Sequence, residues 1–129
     1  MTAANKAPGF ARNPEHRVDL AQEPVRVRVV FNGEIVADSR NAVTVRETGY
    51  APVYYLPRQD VRMDRLEATA HHSRCPFKGE ASYWSVRVGD RLAENAVWSY
   101  ESPYDEVAGI AGRLAFWNGR VDAITAEPL

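Results

Sequence analysis

From residue 25 onward the chain alternates. Val25, Val27 and Val29 are separated by Arg26 and Arg28, and a period of two built from β-branched residues predicts a strand with one buried face. Asn32-Gly33 follows, a pair suited to the positive backbone φ angles of a tight hairpin, and Ile35-Val36 begins the returning strand, closed by Asp38 to Asn41. Ala42 to Arg46 alternates again with Val43 and Val45 on one face, and Gly49 breaks it. Pro52 to Leu56 predicts a short aromatic strand that carries Tyr54 and Tyr55 and is stopped by Pro57. Ala81 to Val88 predicts a strand, Gly89-Asp90 its turn, and Arg91 to Tyr100 its partner. An unbulged pairing about that turn would set Glu80 opposite Ser99, with Glu101 close beyond. Ser102 as cap, Pro103 at the first helical position, and Val107, Ile110 and Ala111 at helical spacing predict one short helix near 103–111. Leu114 to Trp117 and Val121 to Ile124 read as a last hairpin about Asn118-Gly119.

Three stretches lack a clear period. Residues 1–22, with Pro8, Gly9 and Pro14, read as a flexible tail in which Phe10 is the bulky apolar residue able to dock. Residues 58–70 read as a short strand or turn near Val61 and then an irregular segment. Residues 71–80 look like a loop punctuated by Ser73, Pro76 and Gly79. The sum is about eight short strands and one helix. That predicts an all-β domain over residues 23–129, an antiparallel two-sheet sandwich or a tent- or barrel-like arrangement.

Composition narrows the function. The 129 residues suffice for one ordinary domain. Sixteen basic and seventeen acidic residues give a net charge of −1, without the basic excess of a nucleic-acid binder, so no nucleic-acid partner is expected. No run approaches the ~20 apolar residues of a membrane span, and the first residues lack the apolar core of a signal peptide. The expectation is a cytoplasmic protein with no membrane partner. The single cysteine excludes an internal disulfide and a four-cysteine zinc site.

The densest chemistry lies in His71-His72-Ser73-Arg74-Cys75-Pro76-Phe77-Lys78-Gly79-Glu80. The chain uses fourteen arginines and two lysines, and Lys78 is the one lysine outside the N-terminal tail. A lysine can lose its proton at a desolvated site and act as base or nucleophile, which arginine cannot. Neighbouring cations can favour the thiolate of Cys75. Cys75, Lys78, His72 and Glu80 are therefore the candidate catalytic groups. Tyr54, Tyr83, Trp98 and Tyr100 are the candidate walls of an aromatic pocket, and Arg58 a candidate grip for an anionic ligand. The bland alternative is that the cysteine and the aromatics are simply core and the histidines surface. Adjacent histidines point apart in an extended chain, and His71, His72 and Cys75 match no established zinc spacing, so no metal is assigned. Neither dinucleotide fingerprint, phosphate loop nor nucleophile elbow is present, and no cofactor is expected.

The same residues carry a resemblance. Glu47-Thr48-Gly49-Tyr50-Ala51-Pro52 through Val61, Cys75 through Trp84, Ala96 through Glu101, and Ile110 through Phe116 resemble the blocks of the uncharacterised bacterial domain-of-unknown-function family 427. The resemblance spans about residues 25–122. It implies a β-rich fold and places the site at the second block. A nucleotidyltransferase-like heading sometimes attached to that family has no counterpart here, since neither paired metal-binding aspartates nor a phosphate loop is present. The tent-like folds to which it is related often hold zinc on cysteine pairs, which one cysteine cannot build. Two functions stand at this point: a small-molecule site with acid–base or nucleophilic chemistry, or the same pocket as a binding or interaction module without turnover. Exposed aromatics would also suit a homo-oligomer interface.

Overall fold

The alternating segments fold as strands. The computed structural model describes residues 4–129. In chain order the strands are β1 (Val18–Ala21), β2 (Val25–Phe31), β3 (Glu34–Ser39), β4 (Val43–Glu47), β5 (Val53–Tyr55), β6 (Leu66–Cys75), β7 (Gly79–Val88), β8 (Arg91–Ser99), β9 (Ala115–Phe116) and β10 (Ala123–Pro128). They form three antiparallel sheets, β1-β4-β5, β10-β2-β3 and β6-β7-β8-β9, and none closes into a barrel. The fold is all-β, as expected. The sheets number three rather than two, and the strands gained over the expected set are β1 and β6.

The apolar positions bury in two lobes. Val27, Val29, Phe31, Val36, Trp84, Val86, Val97, Leu114 and Phe116 fill one. Val43, Val45, Tyr55, Ala81, Tyr100, Val107 and Ile110 fill the other. β7 serves both, giving Trp84 and Val86 to the first and Ala81 and Tyr83 to the second. Leu56 and Leu114 exchange backbone hydrogen bonds, each N–H donating to the other's carbonyl at 2.8 Å, and so tie β5 to β9.

Several expectations are corrected. Residues 71–80 are not a loop: β6 runs unbroken to Cys75 and pairs with β7, so only Pro76-Phe77-Lys78 turn. The β7–β8 pairing is bulged. Val88 faces Arg91 and Val86 faces Ala93, but Ser85 alone stands against Glu94, Asn95 and Ala96, and beyond it Trp84 faces Val97 and Ser82 faces Ser99. Ser82, not Glu80, is therefore opposite Ser99. Asn95 absorbs the bulge at φ 52°, and its N–H donates to Ser85 Oγ at 3.1 Å. The segment after Ser102 is a 3-10 helix, Asp105–Ile110, interrupted at Val107 and without a side-chain cap. Leu114–Trp117 and Val121–Ile124 do not pair with each other: β9 joins β8 and β10 joins β2.

Residues 4–22 also differ from a free tail. They contain a short helix, α1 (Gly9–Arg12), and β1, which pairs with β4 over Val18–Glu47 to Ala21–Thr44. Ala7 and Gly9 are buried. Two acids of the 3-10 helix hold this segment: Asp105 accepts the Asn5 N–H at 2.9 Å, and Glu106 accepts the Ala7 N–H at 3.0 Å. Among the described residues no helix is long and apolar enough to cross a membrane.

Candidate functional site

All three sheets contribute to a cavity of about 550 Å³. Val27, Val29 and Ile124 come from one sheet, Val45, Val53, Tyr54 and Tyr55 from the second, and Cys75, Tyr83, Trp98 and Phe116 from the third. Its size is that of a small-molecule site. The walls are mostly apolar, and the charged groups that line it, Lys78 and Glu47, come from the β6–β7 turn and the end of β4.

The turn places Lys78. Cys75 pairs with Gly79, and Gly79 has φ +116°, in the region that favours glycine. The Lys78 carbonyl accepts the Tyr104 N–H at 3.0 Å. With its backbone held in this way, the side chain turns inward and the residue is only 7% exposed. A buried ammonium is costly without a partner. The partner is Glu47, whose Oε1 forms an ion pair with Lys78 Nζ. The other carboxylate oxygen lies 2.8 Å from His16 Nε2. The His16 ring stacks on Phe77, the neighbour of Lys78, at 4.0 Å between centroids. Glu47 thus bridges a lysine and a histidine, all three largely withdrawn from water.

The phenols complete the walls. Trp98 Nε1 donates to the Tyr55 hydroxyl at 3.2 Å. Burial pushes the phenols of both Tyr55 and Tyr100 well above the ordinary tyrosine range, so both stay protonated at neutral pH. The Tyr83 hydroxyl lies 2.7 Å from Ser73 Oγ. At the rim Tyr50 and Trp117 are exposed, and Trp117 meets the edge of Trp98 at 5.6 Å.

Of the residues singled out from the sequence, Cys75, Lys78, Tyr54, Tyr83, Trp98 and Tyr100 all line this cavity. His72, Glu80 and Arg58 do not. His72 and Glu80 sit on the opposite face of the hairpin, 52% and 58% exposed, with Nδ1 and Oε1 3.8 Å apart. Arg58 Nε donates to the Gly112 carbonyl at 2.9 Å, and its guanidinium also contacts Glu101 and lies over Trp84. Both of these hydrogen bonds point away from the cavity, whose lining does not include Arg58.

Sequence reasoning missed Glu47 and His16. Glu47 carried a signal: it continues the Val43, Val45 alternation and so shares their inward face. His16 carried none, because its placement depends on how the first residues pack.

Fold and site together define an all-β domain whose aromatic cavity is polarised at one end by a buried lysine–glutamate pair. A family model described as a domain of unknown function, DUF427, matches residues 19–127, and the chain belongs to that family. Among curated proteins none matches it.

Proposed function

We propose that the protein binds a small, flat, largely apolar molecule in the aromatic cavity and acts on it by proton transfer through Lys78 and Glu47. The observation that carries this reading is the opening of a buried ammonium–carboxylate pair into an aromatic cavity lined from all three sheets. In a water-poor site a charge pair acts far more strongly on a bound polar group than it would in water. Lys78 donates to a ligand oxygen, Glu47 takes up a proton, and the Tyr100 hydroxyl supplies a further donor. Because Glu47 neutralises Lys78 and Arg58 lies elsewhere, the pocket suits a neutral carbonyl compound better than the anion expected from the sequence. A nucleophilic route through Cys75 is the second reading, favoured by the thiol's place on the same wall as Lys78. An unpaired thiol facing a cavity also suits a reducing, cytoplasmic setting.

Acetophenone is a suitable probe, being a flat neutral ketone with exchangeable methyl protons. Saturable quenching of tryptophan fluorescence reports binding beside Trp98. Methyl hydrogen–deuterium exchange in heavy water, followed by NMR, reports proton transfer. Wild-type protein is expected to bind and to accelerate exchange, Lys78→Met to bind without accelerating it, and Cys75→Ser to retain both. Binding without exchange in the wild type makes the domain a binding module. Loss of exchange in Cys75→Ser alone moves the chemistry to the thiol. Absence of saturable binding overturns the proposal.

A further inference from the structure

We propose that His16 is a positioning residue of the Lys78–Glu47 pair, delivered by an N-terminal arm that lies outside the matched family segment. The inference rests on the reading of that pair as the proton-carrying centre. The match begins at residue 19, and the arm comprises residues 4–17. Its docking is specific. The Gly9 N–H donates to the Pro76 carbonyl at 3.0 Å, and Gly9 packs so tightly on Phe77 that an added Cβ would fall 2.6 Å from its ring. Phe10 meets the same ring edge-on at 5.0 Å and His16 stacks on it at 4.0 Å. At the far end Arg17 and Thr48 exchange hydrogen bonds: the Thr48 N–H donates to the Arg17 carbonyl at 3.0 Å, and the Arg17 N–H to Thr48 Oγ1 at 3.0 Å. The arm therefore grips the turn that carries Lys78 and the strand end that carries Glu47.

The chemical consequence lies in the Glu47 carboxylate. An ionised carboxylate only accepts, so His16 Nε2 supplies the hydrogen in their 2.8 Å contact. With one oxygen held by His16, Glu47 is fixed in orientation and presents the other to Lys78. The donor also draws off part of the carboxylate's charge, which weakens its pull on the Lys78 ammonium. The other titratable groups lining the cavity are Cys75, Tyr54, Tyr55, Tyr83 and Tyr100, and His16 joins the pair from the arm. His16 is the one among them that bonds the carboxylate from outside the cavity. Arm docking and assembly of the polar centre are thereby one event.

Two substitutions separate positioning from packing. His16→Gln keeps a donor and loses the ring that stacks on Phe77. His16→Phe keeps the ring and loses the donor. The readout is the pH profile of Lys78 acetylation by trace acetic anhydride, resolved on its peptide, with exposed Lys6 as internal reference in the same sample. For His16→Phe the Lys78 midpoint is expected to rise by about half a pH unit or more, lowering labelling at a fixed pH near 8 by about threefold. For His16→Gln it is expected to stay within about a quarter of a unit of wild type. A wild-type profile in His16→Phe overturns the inference, and so does an equal shift in both variants, which makes His16 a packing residue only. Labelling needs no ligand. An unshifted profile therefore removes His16 from the site and leaves the proposed function standing. A shifted profile with no acetophenone binding does the reverse.

Discussion

The β6–β7 hairpin presents the same kinds of group on two faces. On the inner side Lys78 meets Glu47 with little exposure of either. On the outer side Arg74 and His72 meet Glu80 at 3.5 and 3.8 Å, with all three side chains more than half exposed. The residues differ little in type, and all but Glu47 fall within positions 72–80. Water makes the difference. Outside, solvent screens each charge and the side chains gain little from meeting. Inside, each charge depends on its partner. The density of ionisable residues in this segment therefore marked the right hairpin without marking the right face.

The sharpest way to break the comparison is to remove one member of the inner pair. Lys78→Ala leaves Glu47 buried with only His16, and should cost about 3–5 kcal/mol in urea denaturation. The double variant Lys78→Leu with Glu47→Leu should recover most of that loss, because the stranded charge goes with its partner. If Lys78→Ala costs no more than a surface substitution, the inner face is wet and the contrast between the faces disappears.

The next effect tests whether the arm shields the inner face. In Gly9→Ala the new methyl meets Phe77 Cε1 at 2.6 Å and Cδ1 at 2.8 Å. The ring must move, and it is pinned between Phe10 and His16. Overpacking of this kind costs about 1–3 kcal/mol, and Phe77→Leu in the same chain should relieve part of it. A neutral Gly9→Ala in thermal denaturation would mean that the arm does not pack as described.

A third test uses the cavity phenols. Their pKa values are raised in the folded state by burial. The folded protein thus keeps protons that the unfolded chain gives up. The stability they contribute is fully present below the ordinary tyrosine pKa near 10 and is lost as pH rises above it. Each buried phenol steepens that loss by at most about 1.4 kcal/mol per pH unit. Tyr100→Phe should make the alkaline limb of stability measurably shallower in urea denaturation repeated at rising pH.

How much of this was legible in the sequence follows from where local pattern decides structure. β2, β3 and β7 each bury alternate side chains on at least part of their length, β4 buries Val43, Thr44 and Val45 in succession, and their valines announce all four. β6 escaped because nearly all of it is exposed. It also carries a bulge, with residues 69–71 standing opposite Tyr83 alone, so no period of two survives. β9 and β10 were seen as strands but assigned to each other. The Asn118-Gly119 turn is real, yet the choice of partner is made by distant β8 and β2. The cavity residues Cys75, Lys78, Tyr83 and Trp98 were legible through unusual chemistry. Glu47 was legible through alternation that was not extended one step further. His16 depends on the docking of a proline- and glycine-containing segment, for which neither periodicity nor propensity speaks.

The smallest expected effect completes the contrast between the two faces. His72→Ala and Glu80→Gln remove the outer contacts. Exposed ion pairs contribute about 0–1 kcal/mol and less as salt rises, and here the geometry is loose: 3.8 Å for His72 with Glu80, and 3.5 Å for Arg74 with Glu80. Each substitution should change stability by less than about 0.5 kcal/mol. Both should also leave the Lys78 acetylation profile at its wild-type midpoint, since neither side chain reaches the cavity. A shift of that midpoint in Glu80→Gln would mean that charge on the outer face is felt through the hairpin. The two faces would then act as one electrostatic unit, and Glu80 would return to the site from which its exposure now separates it.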